Sequence, residues 1–202
     1  GICLFKMGQL ESARRCFLEA RALAELAKSD HQMILVYNNL GHIYRAEGNF
    51  EVAKEFYAEA LEVSESLGAA RKVCLALEFL GETFLEEGRP SEALLHFERA
   101  HALAKALAPH GDLMMEVLRR RGEAYAALGH RVEAMRDLLR AARLCRSRGE
   151  RREQVLSERA LAFLTASSDE ELAVRVQEVL AQLGKLGDRF EYARQPGLAL
   201  VP

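Results

Sequence analysis

The amino-acid sequence predicts an all-α solenoid of antiparallel helical hairpins, on three observations. Two glycines seven residues apart recur four times, as Gly1/Gly8, Gly41/Gly48, Gly81/Gly88 and Gly122/Gly129, and the first members lie 40, 40 and 41 residues apart. Alanines keep the same period, at Ala13, Ala53, Ala93 and Ala134 and again at Ala20, Ala60, Ala100 and Ala141. Large apolar residues keep it too, at Leu4, Tyr44, Phe84 and Tyr125 and at Phe17, Tyr57, Phe97 and Leu138. Self-similarity at a fixed period is the signature of a repeat architecture, in which each unit buries its apolar face only by stacking on the next.

Each unit reads as two helices. Segments 31–47, 69–87 and 112–128 carry apolar residues at helical spacing, as in Tyr37, Leu40, Gly41 and Tyr44. Each ends at the second glycine, a natural helix stop. The turns are Gly48-Asn49-Phe50, Gly88-Arg89-Pro90 and Gly129-His130-Arg131. Second helices then run over roughly 50–67, 90–108 and 131–148. Pro90 opens one of them, where its missing N–H costs nothing. The first glycine and the two alanines are small where helices cross closely, and the large apolar residues fill the gaps between crossings.

The predicted organisation is one solenoid. It has a truncated first repeat over 1–30, repeats over 31–68, 69–111 and 112–149, a degenerate capping hairpin over 150–184 and a tail over 185–202. Gly1 falls in what reads as mid-helix, so the chain is expected to be a piece of something longer. In the capping hairpin, 151–166 reads as a first helix without a glycine pair. Ser168 reads as an N-cap before the acidic turn Asp169-Glu170-Glu171. A helix over 169–183 follows, with the apolar stripe Leu172, Val176, Val179, Leu180 and Leu183, and stops at Gly184. Terminal repeats are usually atypical in this way. The tail begins like another first helix at 188–192, and Pro196-Gly197 stops it.

Composition excludes several function classes. Of 202 residues half are hydrophobic and only 7% aromatic, with no tryptophan and four prolines, a balance that suits helices. The formal net charge of −2 supplies no global basic field for nucleic acid. Cys3, Cys16, Cys74 and Cys145 are scattered without a CxxC pair, so they read as small core residues of a reducing compartment. No apolar run approaches the ~20 residues that cross a bilayer. Phosphate loops, HExxH and GxSxG are missing. His31, His42, His96, His101, His110 and His130 do not cluster at helical spacing. The sequence therefore predicts no enzyme, no catalytic residue, no metal site and no cofactor.

The stretch Tyr37, Leu40-Gly41, Tyr44, Gly48, Ala53, Tyr57 and Ala60 resembles the tetratricopeptide repeat. The usual repeat has 34 residues, and this one is about six longer. It therefore resembles the long-repeat subgroup of kinesin light chain, the Leu-Gly-Asn polarity adaptors and bacterial peptide-sensing or transcription-regulatory proteins. The resemblance covers residues 1–150 and implies a right-handed superhelix whose first helices line a concave groove. It places in that groove Leu35, Asn38, Asn39, His42, Arg45 and Ala46 of the second hairpin. From the third come Leu75, Glu78, Phe79, Glu82, Leu85 and Glu86. The fourth gives Glu116, Arg119, Arg120, Glu123, Ala126 and Ala127, and the first gives Ile2, Phe5 and Lys6. Amides such as Asn39 are expected to satisfy a peptide backbone, while the charges choose its sequence. Asn38 and Asn39 stand out because asparagine is a poor helix former. A partner with basic residues in its middle and an acidic flank would match. Some tetratricopeptide domains grip chaperone C-termini with a Lys, Asn, Asn, Lys, Arg clamp. Here only Asn39 fits, because Ile2, Leu75 and Phe79 hold other places, so no such clamp is expected. Arg121 departs from the leucine usual beside the first glycine.

The expected function is a protein-binding scaffold, the sensory or regulatory part of a larger cytoplasmic protein such as a transcription regulator. Two alternatives have their own residues. An apolar face of the first hairpin (Leu4, Phe5, Phe17, Leu18) would make a homodimer contact. Nine arginines over 131–159 against five acids, net +4, would suit an acidic partner. Nucleic acid is disfavoured there, because the stretch lacks stacking aromatics.

Overall fold

In a computed structural model the described residues are 1–166 with 168, 171, 174, 175, 177, 178, 181 and 182. Among them stand nine continuous helices and no strand. They are α1 (Ile2–Lys6), α2 (Leu10–Leu26), α3 (Asp30–Ala46), α4 (Phe50–Ser66), α5 (Ala70–Glu86), α6 (Pro90–Leu107), α7 (Asp112–Ala127), α8 (Arg131–Arg148) and α9 (Arg151–Thr165). The boundaries match the sequence expectation to within two residues.

The second glycine of each pair ends the first helix by turning left-handed. Gly48 and Gly88 both have φ +78°. The next N–H then closes on a carbonyl of the last turn, from Asn49 to Tyr44 at 2.9 Å and from Arg89 to Phe84 at 2.9 Å. This closure satisfies carbonyls that the helix end would otherwise strand. The first glycine serves packing instead. A Cβ at Gly81 would stand 2.6 Å from the Phe97 ring, and one at Gly41 would stand 2.5 Å from that of Tyr57. Tyr57, Phe97 and Leu138 are fully buried, as are Ala53, Ala93 and Ala134. The repeating columns are therefore the two sides of one crossing. Ala93 lies in a core cluster with Phe97 and Ala124, so Ala93→Leu overpacks it. The expected loss is about 1–3 kcal/mol, read as a lower thermal midpoint of the helical circular dichroism signal.

The hairpins stack so that α3 touches α5, α5 touches α7 and α7 touches α9. The second helices α4, α6 and α8 pack between first helices on either side. This closer approach of first helices to one another makes them the inner, concave layer. Ion pairs on the flanks repeat with the stack, as Arg14 to Glu47 at 3.1 Å and Lys54 to Glu87 at 2.9 Å.

Three sequence expectations resolve here. Cys74 and Cys145 are buried, but Cys3 is exposed on α1, because no element covers that side of the short helix among the described residues. Burial pushes the Cys74 thiol up to about 12 and Cys145 to about 11. Arg121 marks a polar contact: its Nε stands 2.6 Å from Oδ2 of the buried Asp137 on α8. Ser168 Oγ accepts a hydrogen bond from the Glu171 N–H at 3.2 Å, as an N-cap does. The apolar stripe Leu172, Val176, Val179, Leu180 and Leu183, the stop at Gly184 and the tail over 185–202 lie outside the described residues.

Candidate functional site: the concave wall

The inner wall is a lattice set by the repeat. A residue one place after the first glycine meets residues of the hairpins before and after it. In the second hairpin this residue is His42. Its ring lies 4.4 Å from that of Phe79 at 75° and 6.5 Å from that of Phe5. Its Nδ1 is 2.7 Å from the Tyr57 hydroxyl. The equivalent residue of the third hairpin is Glu82. It ion-pairs with Arg45 of the hairpin before and Arg120 of the hairpin after. The same geometry is thus aromatic at one end of the wall and ionic at the other.

The ionic part runs on through α7 to α9. Arg45 Nε lies 3.8 Å from Glu86. Glu123 receives Arg119 at 3.1 Å and Arg120 at 3.3 Å. Arg119 Nε stands 2.8 Å from Glu153, which Arg152 also pairs. Arg119 is 2% exposed. Burial alone would lower the Arg45 pKa, but Glu82, with Tyr57 and Glu86 behind it, more than offsets that and raises it. Burial likewise raises Glu153, and Arg119 outweighs it, so the carboxyl stays below its usual range. The charges expected to choose a partner's sequence are therefore largely spent on one another.

Two carboxyls differ. Among the described residues, neither Glu78 nor Glu116 has an ion pair. Glu78 is 3% exposed, and its Oε2 is buried without a hydrogen-bond partner. Burial, then the charge of Glu116, raise it well above the usual carboxylate range. Burial, then Glu153, push Glu116 up to about 7. Asn38 holds the same place on α3 as Glu78 on α5, and its Oδ1 is also buried without a partner. Asn39 is half-buried and donates Nδ2–H to its own helix, at Leu35 O, 2.6 Å away. Leu35 is exposed, and Leu75, Phe79 and Glu116 are half-buried along the same wall.

The structure thus brings Asn38, Asn39, His42, Arg45, Glu78, Phe79, Glu82, Glu86, Glu116, Arg119, Arg120 and Glu123 to one wall. Sequence reasoning missed Glu153 and Arg152. Their hairpin lacks the glycine pair, so its register was not readable.

The other two surfaces are less organised. On the first hairpin Leu4, Phe5 and Phe17 are half-buried, and of the four expected apolar residues Leu18 alone is exposed, beside Ile2 and Met7. Along the arginine stretch Arg146 reaches Glu158 at 3.7 Å and Arg148 reaches the His110 carbonyl at 3.5 Å. Among the described residues, no helix is long and apolar enough to cross a membrane.

A curved stack of hairpins with a polar inner wall defines an all-α repeat solenoid. The sequence profile of the tetratricopeptide repeat matches residues 1–66 and 32–106, and the chain belongs to that family. Tetratricopeptide repeats generally mediate protein–protein interaction or scaffolding, and the fold is typically non-enzymatic. The structure is similar to BtubC (BKLC) from P. vanneervenii, at 19% identity and TM-score 0.68, over 89% of this chain and 74% of that one. It is also similar to the nearly identical tetratricopeptide-like repeats of a putative kinesin light chain from P. anserina. Two crystal structures of those repeats, the first of a substituted variant, match with TM-scores of 0.65 and 0.63, at 19% and 20% identity, each over 91% of both chains. No curated protein matches the chain.

Proposed function

We propose that the concave wall of α3, α5 and α7 binds a peptide or helix of a partner protein. The observation that carries this reading is a wall continuous over three hairpins and locked by its own ion pairs. Exposed Leu35 and half-buried Asn39, Leu75, Phe79 and Glu116 lie along it. A wall fixed before binding loses little entropy on complex formation. The module acts in the cytoplasm as the sensory or regulatory part of a larger protein, a reading that rests on the likeness of its long repeat to regulators of that kind.

The test is capture of partner protein from source lysate by wild type and by the double variant Leu35→Glu, Asn39→Ala. Both positions are away from the buried pairs, so circular dichroism should show an intact fold. Loss of the captured protein by at least about tenfold is the expected result, a size set by one or two interface anchors. Equal capture by both would move the site off this wall.

A further inference from the structure

The outer layer of second helices carries its own charge pattern. α4 holds five glutamates against one lysine, α6 two acids against two bases, and α8 six arginines against two acids. The outer face therefore runs from net −4 through zero to net +4 over three successive hairpins. The reversal is in register with the repeat. Fourteen, eighteen and twenty-one places after the first glycine stand Glu55, Glu59 and Glu62 on α4, and Arg136, Arg140 and Arg143 on α8. Spacings of four and three put each trio on one stripe of its helix, and all six residues are exposed. Among the described residues Glu55, Glu62, Arg140 and Arg143 make no ion pair. The two stripes lie on either side of α6, so they cannot neutralise each other within one chain. On α6 the same three places hold Leu95, Arg99 and Ala102. Leu95 is 68% exposed, and Arg99 is turned aside to Glu65 on α4.

We propose that this outer face joins two copies of the chain, α6 against α6, with the glutamate stripe of each copy opposite the arginine stripe of the other. The two-fold axis runs parallel to α6. Rotation about it exchanges the two flanks but keeps the direction and level of the helices. It therefore sets Glu55 against Arg136, Glu59 against Arg140 and Glu62 against Arg143, each twice over by symmetry. A two-fold axis across the helices would instead lay α4 on α4 and α8 on α8, and like charges reject that arrangement. The outer layer is convex, so two such faces meet first along α6, where Leu95 of one copy packs on Leu95 of the other beside Ala102. The gap widens on both flanks, and long side chains of opposite charge are what bridge it. A lone exposed ion pair contributes little, whereas a symmetric array of them acts together. Both inner walls stay open in this dimer, which would give it two grooves for a partner.

The test is sedimentation velocity of the whole chain over a range of concentration and salt. A dimer at low salt that dissociates as salt rises is the expected result. The pair of changes Glu55→Arg, Glu62→Arg should weaken it about tenfold or more, and so should Arg136→Glu, Arg143→Glu, with the helical circular dichroism unchanged. All four changes in one chain exchange the stripes and should restore the dimer. A control of the same net charge combines Glu55→Arg, Glu62→Arg with Arg131→Glu, Arg151→Glu, at two exposed arginines outside the stripe. It should stay as weak as the glutamate-stripe variant. A wild-type chain that remains monomeric at about 1 mM would overturn the proposal. A dimer indifferent to either stripe, or one that the control restores as well as the full exchange does, would overturn it too.

Discussion

Arg119→Ala is expected to lower stability by about 3–5 kcal/mol, the cost of removing one partner from a buried charge network. Arg119 sits at 2% exposure between Glu123 on its own helix and Glu153 on α9. Without it, among the described residues, Glu153 keeps its ion pair with Arg152, whose side chain is 49% exposed, while Glu123 falls back on Arg120. The contact of α7 with α9 loses its central pair, so the damage should centre on the end of the stack. A shift of the urea midpoint at unchanged slope measures the loss. Arg119→Met with Glu153→Met should recover much of it, because a buried ion pair and an apolar pair of similar volume are often close in stability. A loss below about 1 kcal/mol for Arg119→Ala would mean that the network carries no stability.

Glu116→Gln should act in the opposite direction. The carboxyl is held at about 7 in the folded chain, against an ordinary value of 4.5. Below the ordinary value both states are protonated, and the mutation changes little. Between the two values the unfolded chain has released its proton while the folded chain retains it, so stability falls as pH rises. Above pH 7 the folded chain carries a half-buried charge that burial and the Glu153 carboxylate disfavour more than Arg119 favours it. At about 1.36 kcal/mol per unit, the glutamine variant should gain on the order of 2–3 kcal/mol over wild type at pH 8 and almost nothing at pH 4. Denaturation of both proteins across that range checks the sign and the window. A stabilised variant that binds its partner less well is the mark of a residue kept for binding.

The hairpins were legible because their cause is local. Gly48 and Gly88 stop a helix by their own backbone, and the contact of Gly81 with Phe97 repeats as Gly41 with Tyr57 sixteen residues on. Helix ends followed to within two residues. The groove residues were legible as a set, through the resemblance to a family whose first helices line the concave face. What escaped was how those residues spend their charges. Arg45 pairs with Glu82 and Arg119 with Glu153, 37 and 34 residues away. Neither separation leaves a signal on a single helix, where only three- and four-residue spacings bring side chains together. They become neighbours only when hairpins stack. The reading of Glu82, Arg119 and Arg120 as open to a partner therefore gave way to internal pairing. Glu78 and Glu116 stand apart because neither makes an ion pair among the described residues, although Arg119 acts on both through space.

A photo-crosslinking amino acid placed once at Leu35 and once at Val132 tests the concave wall most directly. Both side chains are well exposed, at 58% and 78%, but Leu35 is on the inner layer and Val132 on the α8 side of the stack. Illumination with the captured partner should give a covalent adduct from position 35 and none from position 132. An adduct from position 132 alone would contradict binding in the groove and place the partner on the arginine-rich helix.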